Sequence, residues 1–308
     1  MRARRFIAVF FAAGMALALP SQAGRHDTQA PGWFRYAVGD FVVTALQDGT
    51  INLPVAAYRG LAPDKIQALS ARSFSRSAKG VPTSVNAYLV DTGAHRVLVD
   101  AGNGDVNCYG FKLGGLPANL KAAGYKPSDI DIILLTHLHG DHVCGLTAGG
   151  KRLFPKAVVW VAAEDDAYWL DPNNKTAPPQ IRPAVALYGK DFHTFRAGDS
   201  IAPGVTIVPT HGHTPGHTAF LFESNGASLL VWGDIVHNHF VQFAHPEAAV
   251  QSDIDAAQAV ATRQTLFAKL AADNTAVAGA HLPFPGIGRL RQDGDGYLYV
   301  PVEFAPVP

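Results

Sequence analysis

Three imidazoles and a carboxylate follow directly on an apolar run, where Ile132-Ile133-Leu134-Leu135 leads into Thr136-His137-Leu138-His139-Gly140-Asp141-His142. The run Ile132 to Leu135, apolar at every position, predicts a strand over 130–135 that is covered on both faces, and the polar stretch then marks the loop leaving it. His137 and His139 are two apart, so an extended backbone turns both rings to one face. Gly140 permits the bend that brings Asp141 and His142 round to another. One short loop of this kind can serve two adjacent metal ions. With 13 His in 308 residues, H-x-H-x-D-H arises by chance in on the order of one such chain in a thousand, so the pattern points to chemistry rather than to a polar surface loop.

Further donors come in order along the chain, each just past a predicted strand, where α/β folds collect their chemistry. Gly212-His213-Thr214-Pro215-Gly216-His217-Thr218 follows the strand-like Val205 to Val208. Leu229-Leu230-Val231-Trp232-Gly233 ends in Asp234, Ala276-Val277-Ala278-Gly279-Ala280 ends in His281, and Val97-Leu98-Val99 ends in Asp100. Imidazole and carboxylate donors suit zinc, and the same set accepts manganese, iron or cobalt.

The remainder of the chain reads as one catalytic domain, residues 24–308, because no linker, repeat or charge run divides it. Residues 1–23 read as a signal peptide: Arg2, Arg4 and Arg5 precede the apolar Phe6 to Leu19, and Ser21-Gln22-Ala23 supplies small residues for cleavage. An apolar run of 14 residues is short against the roughly 20 of a bilayer span, so a membrane anchor is the lesser reading. The protein is expected to be exported, to the periplasm or beyond, by the general or the twin-arginine route. Without the leader, 22 Lys+Arg stand against 25 Asp+Glu, a formal charge of −3. No basic patch is present for a phosphate backbone, which excludes nucleic acid as the substrate. Cys108 and Cys144 can form a disulfide in an oxidising compartment, and a buried thiol is the alternative.

Along the chain, strands are predicted over 41–46, 87–90, 96–100, 158–161, 219–223, 228–232 and 275–279. A hairpin at Ser224-Asn225-Gly226 is among the stronger turn signals. Helices are predicted over 116–123, stopped by Gly124, over 164–170, and from a cap at Ser252 or Asp253 to about Leu270. The stretch Pro172 to Pro183 reads as irregular. Strands followed by helices, twice over, fit two packed sheets with helices outside.

The ligand motifs, with Thr83-Ser84-Val85-Asn86-Ala87-Tyr88-Leu89-Val90 and His281-Leu282-Pro283-Phe284-Pro285-Gly286-Ile287-Gly288, resemble the metallo-β-lactamase superfamily. Within it they look like the methyl parathion hydrolase branch of exported dinuclear hydrolases. The resemblance spans roughly Val81 to Gly288. It implies an α/β four-layer αβ/βα sandwich, with His137, His139 and His217 on one ion, Asp141, His142 and His281 on the second, and Asp234 bridging. His213 and Asp100 are expected to hold the ligands in place from behind. It further implies hydroxide shared by two divalent ions, most simply zinc, as nucleophile, with Asp141 orienting it. The substrates so implied are small neutral esters: lactones, aryl esters, or triesters such as methyl parathion.

Asp234 argues against a β-lactamase, whose site generally lacks this carboxylate, and the 27 residues after His281 leave no room for a glutathione-binding helical region of the thioesterase type. Acyl-homoserine lactonase is the nearer alternative. The lactonase Tyr that follows the bridging Asp is replaced by Ile235-Val236-His237-Asn238-His239-Phe240, which leaves His237 as a candidate to assist the leaving group. Trp169, Phe192, Phe240 and Phe284 are candidates to line the substrate pocket. A homodimer is left open. An inactive metal-binding scaffold is the non-enzymatic alternative, disfavoured because the donor set is complete.

Overall fold

The computed structural model describes residues 29–75, 80–105, 108 and 113–307; the expected leader lies outside them. Alternating burial on both faces builds two sheets. The first runs in chain order through β1 (Trp33–Val38), β2 (Phe41–Leu53), β3 (Val81–Asp91), β4 (Arg96–Val99), β5 (Ile132–Leu134), β6 (Val158–Ala162) and β7 (Phe192–Phe195). β1 to β4 form an antiparallel meander and β4 to β7 are parallel. The second contains β8 (Val205–Pro209), β9 (Thr218–Ser224), β10 (Ala227–Val231), β11 (Ala276–Ala278), β12 (Ile287–Asp293) and β13 (Gly296–Pro301), parallel at the β10/β11 junction and antiparallel elsewhere.

Successive side chains of a strand point to opposite faces, so each central strand feeds two cores. Val97 and Val99 of β4 join Phe220 and Phe222 of β9 and Leu229 and Val231 of β10 between the sheets. Leu98 and Ile133 face outward instead, against Leu116 and Leu120 of helix α1 (Leu116–Ala122) and Ile181 and Val185 of a second helix (Ile181–Ala186). On the far side, Leu230 and Val277 pack beneath Leu266, Phe267 and Leu270 of the long helix Ala256–Asp273. The layers are thus helix, sheet, sheet, helix. Each fully buried large side chain contributes about 1.5–3 kcal/mol.

Register sets the site. Val99 pairs with Leu134 and Val231 with Ala278, so Asp100 leaves its sheet beside Thr136, and Asp234 beside His281. The hairpin at Asn225-Gly226 forms with both residues at positive φ, 46° and 75°, the geometry that suits a two-residue turn. Several features differ from expectation. β2 continues to Leu53 through a bulge between Gln47 and Gly49. β1 and the β12–β13 hairpin are additional, and the Pro-rich stretch contains the start of a helix. The long helix is capped by Asp255, which accepts from Gln258 N–H at 2.9 Å, leaving Asp253 for another task. Cys108 and Cys144 are joined, 36 residues apart, fastening the loop after β4 to the metal-binding loop.

Candidate metal centre

Strand ends of both sheets open on one edge of the sandwich. Thr218 N–H donates to the Thr136 carbonyl at 2.9 Å and Asn86 N–H to the Ala280 carbonyl at 2.9 Å, which ties the two sheets together there. His137, His139, His213 and Asp234 bring one donor atom each within 4.8 Å of one another; Asp141, His142 and His281 form a second such set, and Asp234, His237 and His281 a third. All are buried except Asp141, whose side chain is 12% exposed.

Asp234 lies at the centre. Its Oδ1 is 3.1 Å from His142 Nε2, and its Oδ2 is 3.2 Å from His213 Nε2, 3.1 Å from His281 Nε2, 3.2 Å from His237 Nε2 and 3.7 Å from His137 Nε2. Yet His137 Nε2, His142 Nε2 and Asp234 Oδ1 are buried with no hydrogen bond of acceptable geometry. His139 Nδ1 and His213 Nε2 stand 3.0 Å apart. Buried lone pairs converging in this way are costly unless a cation sits among them, so the donor set fits a metal.

Burial, aided by neighbouring imidazoles, holds His137 and His139 well below the ordinary histidine range, in the neutral state that donates to a metal. Burial would raise Asp234, but the imidazoles around it, His142 and His281 foremost, outweigh it and hold the carboxyl well below the ordinary carboxylate range.

The two imidazoles of the Gly212–Thr218 turn exchange the roles expected of them. His213 Nε2 enters the first donor set while its Nδ1 is held by Asp253 Oδ1 at 2.7 Å, the carboxylate–histidine pairing common behind metals. Burial pulls its pKa down, but the hydrogen bonds to Asp234 and Asp253 prevail and raise it to about 9. The same negative charge that holds a proton here attracts a cation. His217, expected as a ligand, is occupied at both nitrogens. Its Nδ1 lies 3.1 Å from the Thr210 carbonyl and 2.8 Å from Thr210 Oγ1, and its Nε2 accepts the Asp234 N–H at 3.0 Å. Burial drives it to about 3, so it stays neutral with its lone pair spent. Gly233 makes room for this, because a Cβ there would lie 2.7 Å from His217 Nε2.

Behind the donors stand carboxylates and carbonyls. Asp100 Oδ2 meets His142 Nδ1 at 2.8 Å while its other oxygen accepts from Thr136 N–H, and the Ser84 carbonyl meets His281 Nδ1 at 2.8 Å. Asp165, which nothing in its sequence context marked, accepts from Leu138 N–H at 2.9 Å and Gly216 N–H at 2.7 Å and so joins the two ligand turns. Arg263 is 1% exposed and donates to the carbonyls of Ile235, Pro246 and Ala248, pinning the loops that carry Asp234 and Asp253. Of the expected pocket aromatics, Trp169 packs edge-on to His139 at 5.0 Å. Phe284 follows the His281 turn, half-buried against the inter-sheet core. Phe192 and Phe240 are also half-buried, the first packed on the outer core of the first sheet, the second on a cluster around Tyr58 and Ile66.

Residues 80–299 match the family model of the metallo-beta-lactamase superfamily. The chain belongs to that superfamily. The hydrolase AbOPH of the beta lactamase superfamily superposes with a TM-score of 0.87 at 38% identity, over 91% of this chain and 100% of that one. AidC, a dizinc quorum-quenching lactonase, shares the fold with a TM-score of 0.82 at 23% identity, over 89% of this chain and 99% of AidC. A probable metallo-hydrolase of Mycobacterium tuberculosis is 29% identical over 204 residues, 57% of this chain and 64% of that protein. An N-acyl homoserine lactonase of Bacillus cereus is 29% identical over 113 residues, 36% of this chain and 40% of the lactonase. The chain therefore spans less than two thirds of the length of these curated relatives.

Proposed function

We propose that the protein is an exported dinuclear metallohydrolase of neutral esters, covering lactones, aryl esters and organophosphate triesters such as methyl parathion, in the methyl parathion hydrolase branch of its superfamily. The observation that carries this reading is Asp234, one buried carboxylate within 3.1 Å of His142 on one side and 3.2 Å of His213 on the other. His137, His139 and His213 would hold one ion and Asp141, His142 and His281 the second, with Asp234 available to both. Zinc suits these donors, with manganese, iron and cobalt as substitutes. Bound there, two divalent cations supply Lewis acidity toward a carbonyl or phosphoryl oxygen and acidify water to near-neutral pKa.

The chain's own groups do the rest. Asp234 compensates positive charge. Asp141, the more open carboxylate, accepts a hydrogen bond from the attacking water and fixes its direction. His237, 3.2 Å from Asp234 Oδ2, holds that carboxylate in place. The likeness to the hydrolase AbOPH along most of both chains supports the hydrolase reading, and the Cys108–Cys144 pair suits an oxidising compartment.

The test is elemental analysis of protein purified without chelators, beside catalytic efficiencies for an aryl acetate, dihydrocoumarin, methyl parathion, an acyl-homoserine lactone, a glutathione thioester and a cephalosporin. Two ions per chain and a lead for the neutral oxygen esters are expected. One ion that stays one in excess zinc or manganese, or a lead of about tenfold or more for the thioester or cephalosporin, about 1.4 kcal/mol in the transition state, refutes it. A lead for the acyl-homoserine lactone would select the lactonase reading, which the Bacillus cereus relative favours.

A further inference from the structure

Beyond Gly288, β12 loses a neighbour. β11 pairs only with Ile287 and Gly288, so from Arg289 to Asp293 β12 pairs with β13 alone. Between this open edge and the end of the long helix Ala256–Asp273 lies a groove of about 590 Å³. Asn274, just ahead of β11, borders it, whereas His281 follows the other end of that strand, so the groove is separate from the metal centre. Ala271 and Ala272 present one methyl each, too little to fill the gap. Leu290 and Tyr297, packed in the core beneath the same helix, give it an apolar floor.

Arg289 and Arg291 also line this groove. Two apart on a strand, they lie on one face with their Cα atoms roughly 7 Å apart. Arg289 spends its Nε on the Asn274 carbonyl at 3.2 Å, and among the described residues neither guanidinium forms an ion pair. Asp273 beside them is taken by Lys269, Asp293 and Asp295 stand at the hairpin turn beyond, and no Asp or Glu lines the groove among the described residues.

Small-molecule pockets of about 300–1,000 Å³ join apolar walls to a few placed polar groups, and this groove has both. Guanidinium forks match a carboxylate in charge and in planar geometry, while the methyls and the floor offer burial to whatever that carboxylate is attached to. We propose that the groove is a second binding site, for a small organic acid whose carboxylate bridges Arg289 and Arg291 and whose alkyl or aryl body lies along Ala271, Ala272, Leu290 and Tyr297. The site is independent of what the metal centre hydrolyses.

Calorimetric titration of the metal-loaded protein with hexanoate, hexanamide and acetate tests it. Hexanoate should bind about tenfold or more tighter than hexanamide, which lacks the charge, and than acetate, which lacks the body. A carboxylate can also reach the metal ions, so two variants act on the groove alone. Arg291→Glu reverses a charge at an exposed strand position, and Ala272→Phe fills the groove from an exposed helix position. Each should weaken hexanoate about tenfold or more with metal content unchanged. In NMR spectra of the wild type, hexanoate should shift the amides of 271–274 and 289–292. Hexanoate that does not bind, that binds no better than hexanamide or acetate, or that binds both variants as it binds the wild type overturns the proposal.

Discussion

Replacing the two histidines of the Gly212–Thr218 turn, one at a time, separates a metal donor from a structural imidazole four residues away. In His213→Ala the first donor set loses one of its four members while Asp253 loses its partner at 2.7 Å. Removing even an outer partner of a ligand costs about 10–100-fold in metal affinity, so removing the ring itself should cost more than about 100-fold. Asp253→Asn belongs in the lower range. His217→Ala acts on folding instead. It deletes a ring buried at 0% exposure and strands the Asp234 N–H that donates to it at 3.0 Å. An unsatisfied buried donor costs about 1–3 kcal/mol, and with the cavity the total should reach about 3–5 kcal/mol, as for other buried rings. At roughly 2–4 °C per kcal/mol for a domain of this size, the metal-free melting temperature should fall by about 6–20 °C. Competition with a chromophoric chelator measures the first effect and calorimetry of the metal-free protein the second. The assignment fails if His217→Ala strips an ion as thoroughly as His213→Ala does while leaving the metal-free melting temperature unchanged.

Asp234→Asn should retain the fold by circular dichroism but lose most turnover and one or both ions, because an amide leaves positive charge uncompensated; near-full turnover would remove Asp234 from its shared position. Asp100→Asn should weaken the ion held by His142 by about 10–100-fold in the same chelator competition, through the 2.8 Å contact to His142 Nδ1. Reduction of Cys108–Cys144, or Cys108→Ala with Cys144→Ala, should cost about 2–4 kcal/mol, read as a lower melting temperature that reoxidation restores in the wild type. Chelation of the metal should lower the melting temperature in proportion to the logarithm of the free zinc displaced, about 2.7 kcal/mol for zinc at a hundred times its dissociation constant.

Most of the donor set was legible because each group terminates an apolar run, and strands that end level in a parallel sheet bring their following loops together. The choice between His213 and His217 was not legible. Both sit in one short turn, and what distinguishes them is a carboxylate at 253 and a backbone N–H at 234, far along the chain. Asp253 was itself disguised, because Ser252, Asp253 and Asp255 are all plausible helix caps and local sequence does not say which one the helix takes. Asp165 looked like an acidic residue in the first turn of a helix. β1 and the β12–β13 hairpin escaped because they bury their residues only partly, WFRYAV at one end and IGRLRQD with GYLYVP at the other, so the period-two signal is weak.

The donors are divided between the sheets. His137, His139, Asp141 and His142 leave the first, and His213, Asp234 and His281 leave the second. Neither half can assemble in full either of the two sets proposed to hold the ions, so occupancy of both would certify that the two halves have docked in the correct alignment. Contacts this distant in sequence form late, after the loops between them have closed. Uptake of both ions would therefore mark the end of folding rather than its start, and a chain whose halves have met out of alignment would identify itself by failing to hold the pair.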